Sequence, residues 1–248
     1  MSGGDTDSLL ATSQRFALKY SELRGEASGF LASASRSPES IERIHDIAQR
    51  VQSTDQDIAS WLISIPDKFR YKTLCWVRKH ATALSKDCNY DDAEAFPGRV
   101  DTYPDFVTAS AWNIGRATRL LLASLAIRLT AWICAPVSYL TTSEYETSRH
   151  ICEGIISEII ASVPYHFGWH LKHKTQNEAG LSGFACGEEG PGKALPSLFL
   201  LWSLTCVKNS DMASEEQRAW ARGRLKFIAS QVGLKYAHVI NEVCPSLS

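Results

Sequence analysis

The chain has 248 residues, 44% hydrophobic and 21% charged, with a formal net charge of -1. That composition is globular and supplies enough apolar residues for one large or two small cores. A charge so near neutral argues against an autonomous nucleic-acid binder, which needs a clear surplus of Lys and Arg to neutralise phosphates.

Residues 1–36 are rich in Ser, Gly and Ala and read as a loosely ordered N-terminal segment, with one weak helix around Gln14 to Arg24. The opening MSGGDTDSLL is polar and acidic, unlike a secretory leader. Residues 37–248 read as a single helical domain. Ser37-Pro38 is an N-cap followed by proline at the first helical position. Ile41, Ile44, Ala48, Val51, Ile58, Leu62 and Ile65 then recur with the period of one helix face; Asp55 interrupts the seam and Pro66 ends it. Tyr71 to Leu84 is a second, shorter helix candidate. The stretch CNYDDAEAFPGRVDTYPD, with its acids, prolines and glycine, reads as a loop or linker.

A long helix is expected from about Val107 to Cys134, apolar almost all the way round and therefore buried on most sides. Arg128 and Pro136 interrupt this region, and neither side of Arg128 offers the roughly 20 apolar residues of a membrane span. The expectation is a soluble chain with no membrane partner. Ser143-Glu-Tyr-Glu146 forms a capping box; Ile151, Ile155, Ile156, Ile159, Ile160 and Val163 supply the face that follows, and Pro164 closes it.

The segment GEEGPGKA nearly spells a phosphate-binding loop, since Gly187, Gly192 and Lys193 fall on the G-x-x-x-x-G-K-S/T spacing. Ala194 removes the hydroxyl that would hold magnesium, and Glu188 and Glu189 set like charge where an anion would sit. The preceding NEAGLSGFAC is no β-branched strand. Gly180, Gly183, Gly187, Gly190 and Gly192 instead suit a tightly folded structural loop leading through Pro191 into a helix. That helix, LPSLFLLWSLTCV, carries no charge and must be central. Ser214-Glu-Glu-Gln217 is another capping box; its helix packs through Trp220, Leu225, Ile228 and Val232, with Gly233 as C-cap. Arg218, Arg222, Arg224 and Lys226 follow Glu215 and Glu216, as suits one helix dipole. Trp202 and Trp220 are expected to anchor the last two large helices together.

No convincing alternating strand is legible. The fold class is all-α, an irregular array of six to eight helices with a glycine-rich loop near residues 180–192. His166, His170 and His173 share a face only if the chain is helical there, which Pro164 and Gly168 oppose, and no H-E-x-x-H pattern completes a catalytic site. Cys75, Cys88, Cys134, Cys152, Cys186, Cys206 and Cys244 make no short pair; they read as reduced small hydrophobes in an intracellular protein. No nucleophile elbow is present. No catalytic, cofactor or metal residue is assigned, and the chain is not expected to be an enzyme.

The stretches WNIGRATRLLL, IIASVPYHFG, GLSGFACGEEGPGKALPSLFLLWSL and NSDMASEEQRAWARGRLKFIASQVGL resemble the C-terminal part of the regulatory domain of fungal zinc-cluster transcription factors. The resemblance covers roughly residues 105 to 240 well and residues 37 to 104 in general character. In that family a six-cysteine binuclear zinc cluster reads DNA, and a long helical region governs activity. The zinc-cluster pattern is absent from these residues, so the family's DNA-binding positions carry over to none of them. The resemblance implies a nuclear regulatory module (cytoplasmic otherwise) that contacts protein partners or itself and does not bind DNA directly. A small-molecule effector, held in an apolar pocket that a helical array with aromatic walls can enclose under the loop from Gly180 to Gly192 as lid, is an alternative. A metal- or nucleotide-dependent enzyme is a third reading.

Overall fold

A computed structural model describes residues 3–78, 90, 93–168 and 194–231. Within them lie six α-helices: α1 (Gly3–Ser33), α2 (Pro38–Ser64), α3 (Phe106–Cys134), α4 (Ser143–His166), α5 (Ala194–Lys208) and α6 (Glu215–Gln231). A two-stranded antiparallel hairpin of β1 (Lys72–Val77) and β2 (Gly98–Thr102) joins them, so the protein is broadly all-α.

Where a weak helix around Gln14 to Arg24 was expected, α1 runs for 31 residues. Weak local propensity is overridden by tertiary packing: Tyr20, Leu23 and Ala27, spaced along one face, are buried in the core. Glu26 then binds both Arg43 and Arg50 of α2, tying the first two helices together.

Ser37 caps α2 as anticipated, its Oγ accepting from the Ser40 N–H at 3.2 Å. Asp55, the interruption in the apolar seam, accepts through both carboxylate oxygens from Arg119 of α3, from Nε at 2.8 Å and from Nη2 at 3.1 Å. The break in the pattern is thus a bidentate pair between helices.

The helix expected over Tyr71 to Leu84 is not there: Lys72–Val77 is β1. β2 likewise lies inside the segment expected to be a loop. Thr73, Trp76 and Val77 favour the pleated surface, but β1 is exposed along much of its length and shows no clean alternation. Its partner residues also lie more than twenty positions away, as in Val77 against Gly98, so no turn signal marks the hairpin. The register slips between Thr73 and Cys75, leaving Leu74 as a bulge. Gly98, at φ +135°, opens β2 in a conformation that suits glycine.

Asp105 caps α3, accepting from the Thr108 N–H at 2.7 Å. α3 packs against α1, α2, α4 and α5, which explains an apolar surface on nearly every side. One face, with Leu122, Leu125 and Leu129, joins Ile44, Ile47 and Ile58 of α2. The other, with Ala117 and Leu120, joins Ile156 and Ile159 of α4, Leu200 and Leu204 of α5 and Trp220 of α6. By length and hydropathy alone α3 could cross a bilayer; here it is the shared wall of two cores.

Two boundaries shift. The cap of α4 is Thr142, not Ser143, its Oγ1 accepting from the Tyr145 N–H at 3.2 Å. Pro164 does not close that helix, which continues to His166, because the following residues Tyr165 and His166 are drawn into the interior. At α6 the capping box is complete: Gln217 N–H donates to Ser214 Oγ at 3.2 Å, and Ser214 N–H donates to Gln217 Oε1 at 2.8 Å.

Candidate functional site at the hairpin

β2 lies against α4, and beneath the hairpin is a wholly buried arginine, Arg116 of α3. A buried guanidinium is tolerable only if its charge and donors are met. Its Nε donates to Glu158 Oε2 at 3.0 Å, and its Nη1 donates to the Tyr103 hydroxyl at 2.6 Å and to Asn113 Oδ1 at 3.4 Å. The guanidinium carbon lies 4.9 Å from the Tyr71 ring centroid and 5.1 Å from that of Trp112, cation–π contacts to two rings that themselves meet edge to face. Nη2 alone has no hydrogen-bond partner.

The network spreads through Asn113. Its Oδ1 accepts from Ser162 of α4 at 3.0 Å, its backbone carbonyl accepts from Ser203 of α5 at 3.4 Å, and its amide nitrogen stands 3.4 Å from His166 Nε2. One polar cluster therefore links the hairpin end, α3, α4 and α5. At its margin Asp101 of β2 is buried, accepting from Arg99 Nε at 3.0 Å and from Thr73 Oγ1 at 3.3 Å.

Burial pushes the Asp101 carboxyl above its ordinary range, with Arg99 and Arg116 pulling the other way. Burial also pushes the Tyr103 phenol up to about 12, against the pull of Arg116. Burial works against the charge on Arg116 itself, but Tyr103 and Glu158 outweigh it and its pKa stands above the usual arginine value. Arg116 thus stays a cation and Tyr103 a neutral hydroxyl. These groups are turned towards one another inside the fold, and they brace the hairpin.

The outer side differs. Trp76 is 71% exposed and Leu74 42%, with Lys72 and Arg78 exposed beside them. A groove of about 390 Å³ between α1 and α2 is lined by Lys19, Glu22, Leu23, Glu26 and Arg50, among others.

Of the residues singled out from sequence, Trp220 is wholly buried. Trp202 is 36% exposed, which does not fit a core anchor: the buried side of α5 is carried by Leu200, Leu201 and Leu204 instead. His166 is buried at the end of α4, packed on Phe106 and Tyr165. His170, His173, Cys186, Lys193 and the loop glycines Gly180, Gly183, Gly187, Gly190 and Gly192 lie outside the described residues. Among the described residues no three His, Cys, Asp or Glu are grouped to hold a metal ion.

Sequence reasoning missed Arg116, Asn113, Tyr103 and Asp101. A signal existed: WNIGRATRLLL sets Asn113 and Arg116 three apart on a helix expected to be buried, and two polar residues on a buried face must find partners.

The chain is similar to the transcription factor dbaG of Emericella nidulans (strain FGSC A4), with 22% identity over 197 residues. The matched region is 79% of this chain and 43% of that protein, so the chain spans less than half the length of this relative. No family model matches the chain, and no solved structure does.

Proposed function

We propose that this chain is a helical regulatory module of the kind found in fungal zinc-cluster transcription factors, acting through protein contacts in transcription regulation and not through DNA. The observation that carries the reading is the similarity to a fungal transcription factor over most of this chain. The structure agrees in kind. Its buried polar groups brace one another, as Arg116 does with Glu158, Tyr103 and Asn113, while an apolar, basic strand is displayed outward. The same similarity supports a nuclear location and a non-enzymatic role.

The test is a tethered reporter. Fused to an unrelated DNA-binding domain in a fungal host, the chain should change reporter output severalfold relative to the tether alone. The purified chain should leave a DNA panel unshifted at physiological salt. A shift by the chain itself overturns the reading, as does a tether with no effect.

The groove between α1 and α2 favours a second reading, a small-molecule effector site. Its lining carries both charge signs, so the ligand would be polar. A thermal-shift screen of polar metabolites checks it: a ligand at 100 times its Kd adds about 2.7 kcal/mol, and Arg50→Ala should abolish the shift.

A further inference from the structure

We propose that the open edge of β1 docks an extended acidic segment of a partner protein, which would join the hairpin as a third strand. The inference rests on the protein-contact reading above and names the surface.

Among the described residues β1 pairs only with β2, and no other backbone hydrogen bond is made along Lys72–Val77. An open edge presents unpaired N–H and C=O groups, and extended peptides add to such edges by main-chain bonding. Edge strands are commonly guarded by charge, proline, bulges or a covering segment, and β1 carries charge at its ends and the bulge at Leu74. Here Leu74 is 42% and Trp76 71% exposed, a large apolar area on an edge strand. Tryptophan is the residue type most often found at the energetic centre of interfaces.

The charge selects the occupant. The exposed residues along the strand are Lys72, Thr73, Leu74, Trp76 and Arg78, with Arg99 opposite Trp76 on β2. Within the two strands the one carboxylate, Asp101, is buried and already engaged by Arg99 and Thr73. The displayed surface is therefore apolar in the middle and cationic at both ends, in a chain whose net charge is -1. A second copy of this strand is a poor partner. Antiparallel pairing centred on Cys75 would set Lys72 against Arg78 of the copy twice, and like charges directly opposite are destabilising. A segment alternating acids with β-branched or aromatic residues satisfies the main chain, Trp76 and the flanking cations together. The Arg116 brace beneath holds the hairpin in place, so docking need not order it first.

The experiment titrates the full chain with synthetic octapeptides alternating Glu or Asp with Val or Ile, followed by calorimetry and tryptophan fluorescence. Controls are the same peptides with Lys for the acids, and with proline at alternate positions. Binding is expected for the acidic peptides and lost at least tenfold with proline, because the ladder bonds need N–H groups. Trp76→Ser should weaken it tenfold or more. Lys72→Glu with Arg78→Glu should reverse the preference to the lysine peptides. All three positions are exposed, and unchanged circular dichroism confirms folding. No binding by any acidic peptide, equal binding of the proline forms, or no response to the charge reversal overturns the proposal. A dimer in sedimentation that Trp76→Ser dissolves would replace the acidic partner by a second copy. Failed peptide binding beside an active tethered reporter removes this edge and leaves the regulatory reading standing; an inactive tether beside tight peptide binding does the converse.

Discussion

Trp220 of α6 donates its indole N–H to the carbonyl of Ala93, 127 positions earlier, across 2.9 Å. Its ring also meets Phe96, with centroids 5.9 Å apart. The contact fixes the segment leading into β2 to the last described helix, so α6 and the hairpin approach share one anchor. Trp220→Phe keeps most of the apolar area and loses the hydrogen bond, an expected cost of about 1 kcal/mol. Trp220→Ala also opens a cavity and should cost about 3–5 kcal/mol. Urea unfolding of the two variants separates the contributions; equal midpoints for wild type and Trp220→Ala would remove the indole from the core.

Glu158 and Glu153 sit on the same helix with similar exposure, 40% and 45%, yet their arginine partners differ. Arg149 is 40% exposed, whereas Arg116 is 0%. Removing Glu153 leaves a solvated charge, and Glu153→Ala should change stability by no more than about 0.5 kcal/mol. Removing Glu158 strips a buried cation of its counter-ion. After discounting for Glu158's own exposure, Glu158→Ala should cost about 2–3 kcal/mol. Equal effects of the two substitutions, in parallel denaturant titrations, would mean the Arg116 network does not depend on this carboxylate.

Helices α2 to α6 were legible because their signals are local. Ser37, Ser214 and the apolar seam of α2 each lie within a few turns of what they specify. The hairpin was not legible, because its register joins residues such as Lys72 and Thr102 whose pairing depends on the helices beneath. Nor was the Arg116 cluster, which gathers Tyr103, Asn113 and Glu158 from three segments. Trp202 shows the same gap: a helix without charges has no sequence-visible outer face, and the structure turns this indole partly outward.

Asp101 supplies a pH signature. Its carboxyl is raised in the folded state, burial being the main cause. Between its unfolded and folded pKa the native chain binds more protons than the unfolded chain, so this residue's contribution to stability falls as pH rises through that window. The cost is absent below the unfolded pKa, about 3.9, and complete above the folded one. Asp101→Asn carries no such titration. The stability of the variant relative to wild type should therefore increase from about pH 3 towards neutrality before levelling. A difference that is flat with pH would show that the arginines offset the burial, and one that runs the other way that they more than offset it.

Thiol reactivity should follow burial. Cys152 is wholly buried and its thiol is pushed up to about 12, burial first and the carboxylates of Asp55 and Glu153 after it. Cys75 and Cys134 are half-buried. Alkylation at pH 8 with peptide-resolved mass spectrometry should label Cys75 and Cys134 well before Cys152, since the thiolate is the reactive form. Early labelling of Cys152 would mean that the α3–α4 core opens under native conditions.

Gly115 of α3 lies tightly against Trp61 and Leu62 of α2. A Cβ there would stand 2.9 Å from Trp61 Cζ3 and 3.3 Å from Leu62 Cδ2. In an unhindered helix Gly→Ala would be stabilising by about 1 kcal/mol. Here the methyl must displace an indole that also packs on Phe16, with centroids 5.7 Å apart. Overpacking typically costs about 1–3 kcal/mol, so Gly115→Ala should be net destabilising despite its better helix propensity. Trp61→Leu withdraws the obstructing ring and should make the added methyl tolerable. The double variant is then expected to be at least about 1 kcal/mol more stable than the sum of the single effects, a coupling that neighbouring residues can show. Additive single effects in the cycle would place the cost of Gly115→Ala somewhere other than the contact with Trp61.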